Sequence, residues 1–219
     1  MTSSFHSNHS TVLRAGVSLL LLAVTAFLPY SVLAGPLAGT TALPALPDFS
    51  LSIRNGDGTM LRGAYADNLF ALPIVQQPDY NAGYVSTAAN TLTEFSMASE
   101  VGNVGLLAHN YRSGQYFNQL LPGRKMQLVY GDGHIEYFVV AHVYRYQASS
   151  PFSVTSDFVD LDTHEYLTAT ALFAKVYKGP RHVTFQTCIN RDGNSSWGRL
   201  FVIATPELLF SKTPLISPR

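Results

Sequence analysis

The sequence predicts an all-β domain, and three observations carry that prediction. Rings are abundant, with 13 Phe, 12 Tyr and 1 Trp against 4 Met, and flat side chains fit a pleated, half-buried surface. Turn signals are dense from residue 51 onward: Asn55-Gly56-Asp57-Gly58, Gly102-Asn103, Pro122-Gly123, Gly131-Asp132-Gly133, Lys178-Gly179-Pro180 and Asp192-Gly193-Asn194. The stretches between them are short and apolar, as strands are and long helices are not.

At the N-terminus, a polar run containing His6 and His9 leads to Arg14 and then to Ala15–Leu28, fourteen residues without a charge. These read as the first two regions of a signal peptide, with Val32-Leu33-Ala34 fitting a cut before Gly35. Taken instead to Ala34, the uncharged stretch is twenty residues, enough to span a bilayer. Residues 1–34 are therefore expected to be a signal peptide or an N-terminal membrane anchor. With no Lys or Arg between Arg14 and Arg54, the rest of the chain is expected outside the cytoplasm. Residues 35–50, with Pro36, Pro44 and Pro47 among small residues, read as a linker. The domain proper is expected over 51–206, with a C-terminal tail at 207–219.

Within the domain, Val104–Ala108, Met126–Tyr130, Ile135–Tyr146, Leu172–Tyr177, Val183–Cys188 and Leu200–Ala204 read as strands. Met126–Tyr130 and Ile135–Tyr146 flank a glycine-rich turn and predict a hairpin. Asn90–Ser99 predicts a helix from the spacing of Leu92, Phe95 and Met97-Ala98, Gln115–Leu121 a shorter one, and Ser156 the N-cap of a further helical turn. Ile189–Gly198 reads as a loop. Ten residues are short for a parallel crossover, so the strands on either side of it are expected to return on one another or lie close.

Charge excludes some partners. Lys+Arg and Asp+Glu are 14 each, so no basic excess is available to neutralise a phosphate backbone, and nucleic acid is not an expected partner. Cysteine is informative in an exported chain, where structural cysteines come in pairs. Here Cys188 stands alone. It is a buried inert thiol, an intermolecular linker or a nucleophile.

Its surroundings favour the nucleophile. Alternation along Val183–Cys188 puts Thr184, Gln186 and Cys188 on one face, with the sulfur at the strand's end. The returning strand opens with Arg199-Leu200-Phe201-Val202, so Arg199 enters where Cys188 leaves. Val104–Ala108 stops at His109. Thiol, imidazole and guanidinium at strand ends are the parts of a cysteine transpeptidase: a sulfur nucleophile, a proton carrier and an oxyanion anchor.

These residues also resemble a known family. Thr184-Phe185-Gln186-Thr187-Cys188 is similar to the Thr-Leu-x-Thr-Cys signature of sortases, with Phe185 in the Leu position. Arg199-Leu200-Phe201-Val202 resembles the strand bearing their arginine. Gly102-Asn103 followed by Leu106-Leu107-Ala108-His109 resembles their Gly-Asn…Leu-Ala-Gly-His segment, with Ala108 where Gly is more usual. The resemblance covers roughly residues 100–206. It implies a closed eight-stranded β-barrel with a few short helices. It also implies an enzyme that cleaves a C-terminal sorting signal of the Leu-Pro-x-Thr-Gly type, holds the product as a thioester, and transfers it to an amine on cell wall or pilin. Carried over residue by residue, Cys188 is the nucleophile, His109 the general acid/base and Arg199 the anchor of substrate and oxyanion. Thr187 is a candidate substrate contact.

Other residues compete for these roles. His134, His142, His164 and His182 lack a motif and read as surface or packing residues, while Arg112, Arg181 and Arg191 are the other candidate anchors. Asp157, Asp160, Asp162 and Glu165 offer the oxygen ligands that Ca²⁺ prefers, without the glycine-bearing spacing of a dedicated loop. Solvated acids around a helical turn are the expected account, and no cofactor is expected. Cell-wall L,D-transpeptidases resemble one another through Ser-x-Gly-Cys, which is absent around Cys188, and papain-like enzymes place cysteine before histidine, whereas no histidine comes after Cys188. The non-enzymatic alternative is a secreted β-rich surface-binding module with an inert, buried Cys188.

Overall fold

The computed structural model describes residues 42–79 and 81–207. The expected leader, the start of the linker and the tail beyond Glu207 lie outside the described residues. The chain runs α1 (Leu46–Ile53), β1 (Leu61–Ala66), β2 (Phe70–Gln76), β3 (Leu92–Glu94), α2 (Ser96–Ser99), β4 (Val104–Leu107), a 3₁₀ helix (Ser113–Gln119), β5 (Lys125–Tyr130), β6 (Ile135–Ala148), β7 (Phe158–Asp160), β8 (Tyr166–Leu167), α3 (Ala169–Tyr177), β9 (Val183–Arg191) and β10 (Asn194–Pro206).

Strands pair in the order β10-β9-β4-β3-β2-β1-β5-β6, and β6 pairs back onto β10. Eight strands thus close on themselves, and β7 and β8 extend from β6 outside the ring. Closure leaves the ring without the unpaired edges that invite aggregation. Its interior is packed with Phe70, Leu72, Leu106, Phe117, Leu128, Phe138, Phe185, Leu200 and Val202, all buried. On the outer wall, α3 and β7 cover one region, where Tyr146, Phe158, Leu172, Val176, Tyr177, Phe201 and Ile203 form a second core. A third forms where Phe49 and Ile53 of α1 pack on Tyr65 and Val129.

Several elements differ from the sequence-based expectation. Leu172–Tyr177 is helix, the body of α3. The Thr168 hydroxyl accepts from Ala171 N at 3.2 Å, the Asp157 carboxylate accepts from Ala169 N at 3.0 Å, and Leu172 and Val176, four apart, bury together. A short apolar run is compatible with either period, and the capped N-terminus decides for the helix. Asn90–Ser99 is only partly helical: Leu92–Glu94 pairs in parallel with β2 and antiparallel with β4, completing the ring, and only Ser96–Ser99 turns. Ser156 caps no helix. Its hydroxyl accepts from Ser150 N at 3.0 Å and donates to Asp157 O at 2.7 Å, closing the β6–β7 loop, and strand comes next. The expected linker gives way to α1 from Leu46, with Phe49 and Ser50 buried.

Ile189–Gly198, expected as a loop, is the far end of a hairpin. Strand β9 runs on to Arg191, β10 begins at Asn194, and those two residues pair across Asp192-Gly193. Both turn residues have positive φ, 51° and 80°, as a two-residue turn matching strand twist requires. A bulge between Asn194 and Gly198 restores register.

Candidate active site

Three neighbouring strands align the residues singled out from the sequence. Strand β4 is parallel to β9 with Leu107 opposite Gln186. The pairing outlasts the strand: Ala108 N donates to Gln186 O at 3.2 Å, and the Thr187 hydroxyl donates to Ala108 O at 2.7 Å. His109 comes one residue after this bonded segment, as Cys188 comes one residue after Thr187. On the other side of β9, Cys188 is directly opposite Arg199 of β10. Cys188 and Arg199 are therefore neighbours on adjacent strands, with backbones roughly 5 Å apart, and His109, at the end of the segment bonded alongside β9, completes a row of three at one end of the sheet.

The row lies on the barrel's outer wall. Thr187, Phe185 and Val183 point inward on β9, and Leu200 and Val202 do so on β10, so Cys188 and Arg199 face outward by alternation. Further down the same wall the face is occupied. Gln186 accepts a hydrogen bond from the Tyr177 hydroxyl at 2.5 Å, the Thr184 hydroxyl donates to Val176 O at 2.5 Å, and Phe201 packs under α3. The wall is open only beyond the end of α3, where Cys188 and His109 are each partly exposed. Cys188 is thus not sealed in the core, as the inert-thiol alternative requires.

Arg199 is held from three sides. Its Nη1 donates to Ser196 O and Gly198 O, both at 2.9 Å, and Nη2 reaches Pro151 O at 3.4 Å in the β6–β7 loop. A guanidinium has five N–H donors, so two remain for a ligand. No carboxylate pairs with Arg199 among the described residues, and its charge is uncompensated there. The β9–β10 hairpin is also tied to the histidine: Asn110 Nδ2 donates to Ser195 O at 2.9 Å.

Thr187, the candidate substrate contact, is placed differently. It is buried, and its hydroxyl is spent on Ala108 O, so it fastens the segment leading to His109. Gly114 lets the 3₁₀ helix come this close. A Cβ there would sit 2.2 Å from Thr187 Oγ1 and 2.7 Å from His109 O. The two departures from the family pattern, Phe185 and Ala108, both face the interior. Phe185 packs its ring against Phe117 and Phe70, at centroid separations of 5.2 and 6.5 Å, so it fills core volume and does not line the open wall.

The other candidate residues make contacts of their own. Arg181 binds Glu136 at 2.7 Å and the Tyr130 hydroxyl at 3.0 Å; burial, then Glu136, pushes that phenol up to about 12. Arg191 lies over the Trp197 ring and Arg112 over Tyr111. His134 stacks on Tyr130 and contacts Asp132, His142 stacks on Tyr144, His182 is buried against Pro180 O and Val176 O, and His164 sits in a turn with positive φ. Of the acidic string, Asp157 binds the Tyr166 hydroxyl and Ala169 N, Asp160 binds Asp162 N and Thr163 N, and Glu165 and Asp160 both approach Lys175 at 3.8 Å.

Sequence reasoning missed Asn110, Gly114 and Pro151, which position the row through backbone carbonyls and close approach. The one available signal was the motif asparagine, Asn103. It is buried, its Nδ2 donates to Tyr177 O at 2.8 Å, and its Oδ1 accepts from His182 N at 2.8 Å. It thereby joins the end of α3 to the start of β9 and sets the β4–β9 alignment. Two surface depressions are lined by Gln77, Ser96 and Glu100 and by none of the row. The Gln77 amide there is already bonded to Ala82, Tyr84 and Ser96.

The ring and the row together define a β-barrel that carries a thiol, an imidazole and a guanidinium at one end of three neighbouring chain segments. No protein-family model and no curated protein matches the sequence. Among solved structures, the chain is similar to sortase A from Corynebacterium diphtheriae, at 13% identity and a TM-score of 0.46, over 72% of this chain and 65% of that one. It is similar also to sortase C-1 from Actinomyces oris, at 16% identity and 0.46, over 78% and 90%. A third is sortase A from Listeria monocytogenes, at 11% identity and 0.43, over 69% and 88%.

Proposed function

We propose that this chain is an exported cysteine transpeptidase of the sortase type. The observation that supports the reading is Cys188 directly opposite Arg199 on β9 and β10, both partly exposed, with the segment that leads to His109 bonded alongside β9. The motif resemblance around the same three residues supports it independently.

The chemistry is set by the order of the row. The Cys188 thiolate attacks the carbonyl carbon of the Thr–Gly bond in a sorting signal of the Leu-Pro-x-Thr-Gly type. The carbonyl oxygen takes up negative charge, and the two remaining Arg199 donors stabilise it. As the C–N bond breaks, His109 in its protonated form gives its proton to the departing glycine amine. The acyl group stays on sulfur as a thioester. An incoming amine on cell wall or pilin then attacks, His109 takes the proton, and the thiolate departs. No cofactor takes part in these steps.

The test is incubation of the full chain with sorting-signal peptides and an amine acceptor, read by mass. Expected are a covalent acyl adduct on Cys188 and a transfer product. Cys188→Ala is expected to lose both while keeping its melting temperature, since one partly exposed sulfur leaves little cavity. Turnover in that variant, or failure of native Cys188 to react with a thiol-directed electrophile, overturns the reading.

A further inference from the structure

We infer that Tyr111 is a positioning residue that holds the His109 imidazole toward Cys188; the role rests on the transpeptidase reading. His109 stands beyond the last ladder position of β4, so strand pairing does not fix its ring. Among the described residues, the histidine rings engaged in hydrogen bonds are those of His134 and His182. The His109 ring instead lies against Tyr111, at a centroid separation of 5.1 Å with the planes 18° apart.

The backbone between the two rings is pinned. Arg112 N and Gly114 N both donate to His109 O, at 2.9 and 3.1 Å, and the Asn110 side chain turns away to Ser195 O. Residues 109 and 111 are thereby held with their rings face to face. Tyr111 is 63% exposed, so core packing does not explain its ring's placement. The Arg112 guanidinium, 5.7 Å from the ring centroid, supports it.

A catalytic imidazole needs a third group to orient it, and a carboxylate commonly does so by occupying one ring nitrogen. A ring face orients the imidazole without using either nitrogen. Both stay available, one toward the sulfur and the other toward solvent, where protons enter and leave.

The test uses the full chain and two readouts. The first is the ring-proton NMR signal of His109, assigned by its loss in His109→Gln. Tyr111→Leu is expected to move it downfield as the aromatic ring current is lost, while Tyr111→Phe leaves it shifted. The second is steady-state kinetics. Tyr111→Leu is expected to lower kcat roughly tenfold with KM little changed, the scale of one aromatic contact, and Tyr111→Phe to restore it. A His109 signal unmoved in Tyr111→Leu overturns the inference whatever the chain catalyses. Equal losses in the Leu and Phe variants also overturn it, by assigning the effect to the hydroxyl. Absence of turnover in the native chain with the stacked signal intact sinks the transpeptidase reading, and the positioning role falls with it.

Discussion

Arg199 shows how much of the site's chemistry resides in one side chain's geometry. Three of its donors are taken by the carbonyls of Ser196, Gly198 and Pro151, which hold the planar fork still and leave two donors free of protein partners among the described residues. A lysine at this position has a compact ammonium that cannot bridge those carbonyls and also offer a paired edge. Arg199→Lys is therefore expected to lower kcat/KM at least about a hundredfold, on the scale of a lost oxyanion donor, with the melting temperature nearly unchanged. Native kinetics in that variant would move the anchoring role to Arg112 or Arg191. That Cys188 and Arg199 lie opposite each other was legible, because a short connection between two strands brings their ends together. Thr187, expected as a substrate contact, is buried instead. Its partner was not legible, because a bond to Ala108 O depends on which strand lies alongside.

Among the elements, the 3₁₀ helix matters more to the site than its length suggests. It packs against the ends of β4 and β9 where Gly114 permits backbone approach. The carbonyls of Ala108 and His109 would lie 2.9 and 2.7 Å from an added Cβ, and neither can swing aside as a side-chain tip would. Gly114→Ala is expected to cost about 1–3 kcal/mol in denaturant unfolding and, by displacing His109, to lower turnover more than stability alone explains. Unfolding midpoints and kinetics measured together check this; an unchanged midpoint would mean that the helix yields freely. Two of the elements misread from sequence share one cause. Leu172–Tyr177 and Leu92–Glu94 are too short for period alone to separate helix from strand, and their neighbours decided: a capped turn over the outer wall for the first, a gap between β2 and β4 for the second. Ile189–Gly198 was misread because Asn, Gly and Ser signal a loop, whereas only Asp192-Gly193 turns and the rest continues the ladder.

At the scale of the whole molecule, the barrel stands on closure by β6 and β10, and the outer cluster around α3 secures that seam. Asp160 lies at its edge, with its side chain 5% exposed. Burial opposes its charge, but the N–H groups of Thr163 and Asp162, with Lys175 beyond, outweigh that and hold its carboxyl below the usual range. A folded-state pKa below the unfolded one means stability that is present above the ordinary aspartate range and is lost as pH falls through the folded value. Asp160→Asn is thus expected to destabilise the chain by about 1–2 kcal/mol at neutral pH, with the difference closing at a pH below the folded value. Urea titrations at both pH values check it, and a difference independent of pH would show that the carboxylate's charge contributes nothing.

By itself the sequence determined the strand-rich class, the hairpin around Gly131-Asp132-Gly133, the return of the Arg199 strand onto that of Cys188, and the residue types for thiol chemistry, because alternation, turn residues and side-chain identity are local properties. Tertiary structure alone decided that β4 runs parallel beside β9, that β10 meets β6 to close the ring, and that Asn110, Gly114 and Tyr111 surround His109. Those outcomes depend on contacts between stretches as far apart as residues 110 and 195, and no local pattern encodes which distant backbone will arrive alongside.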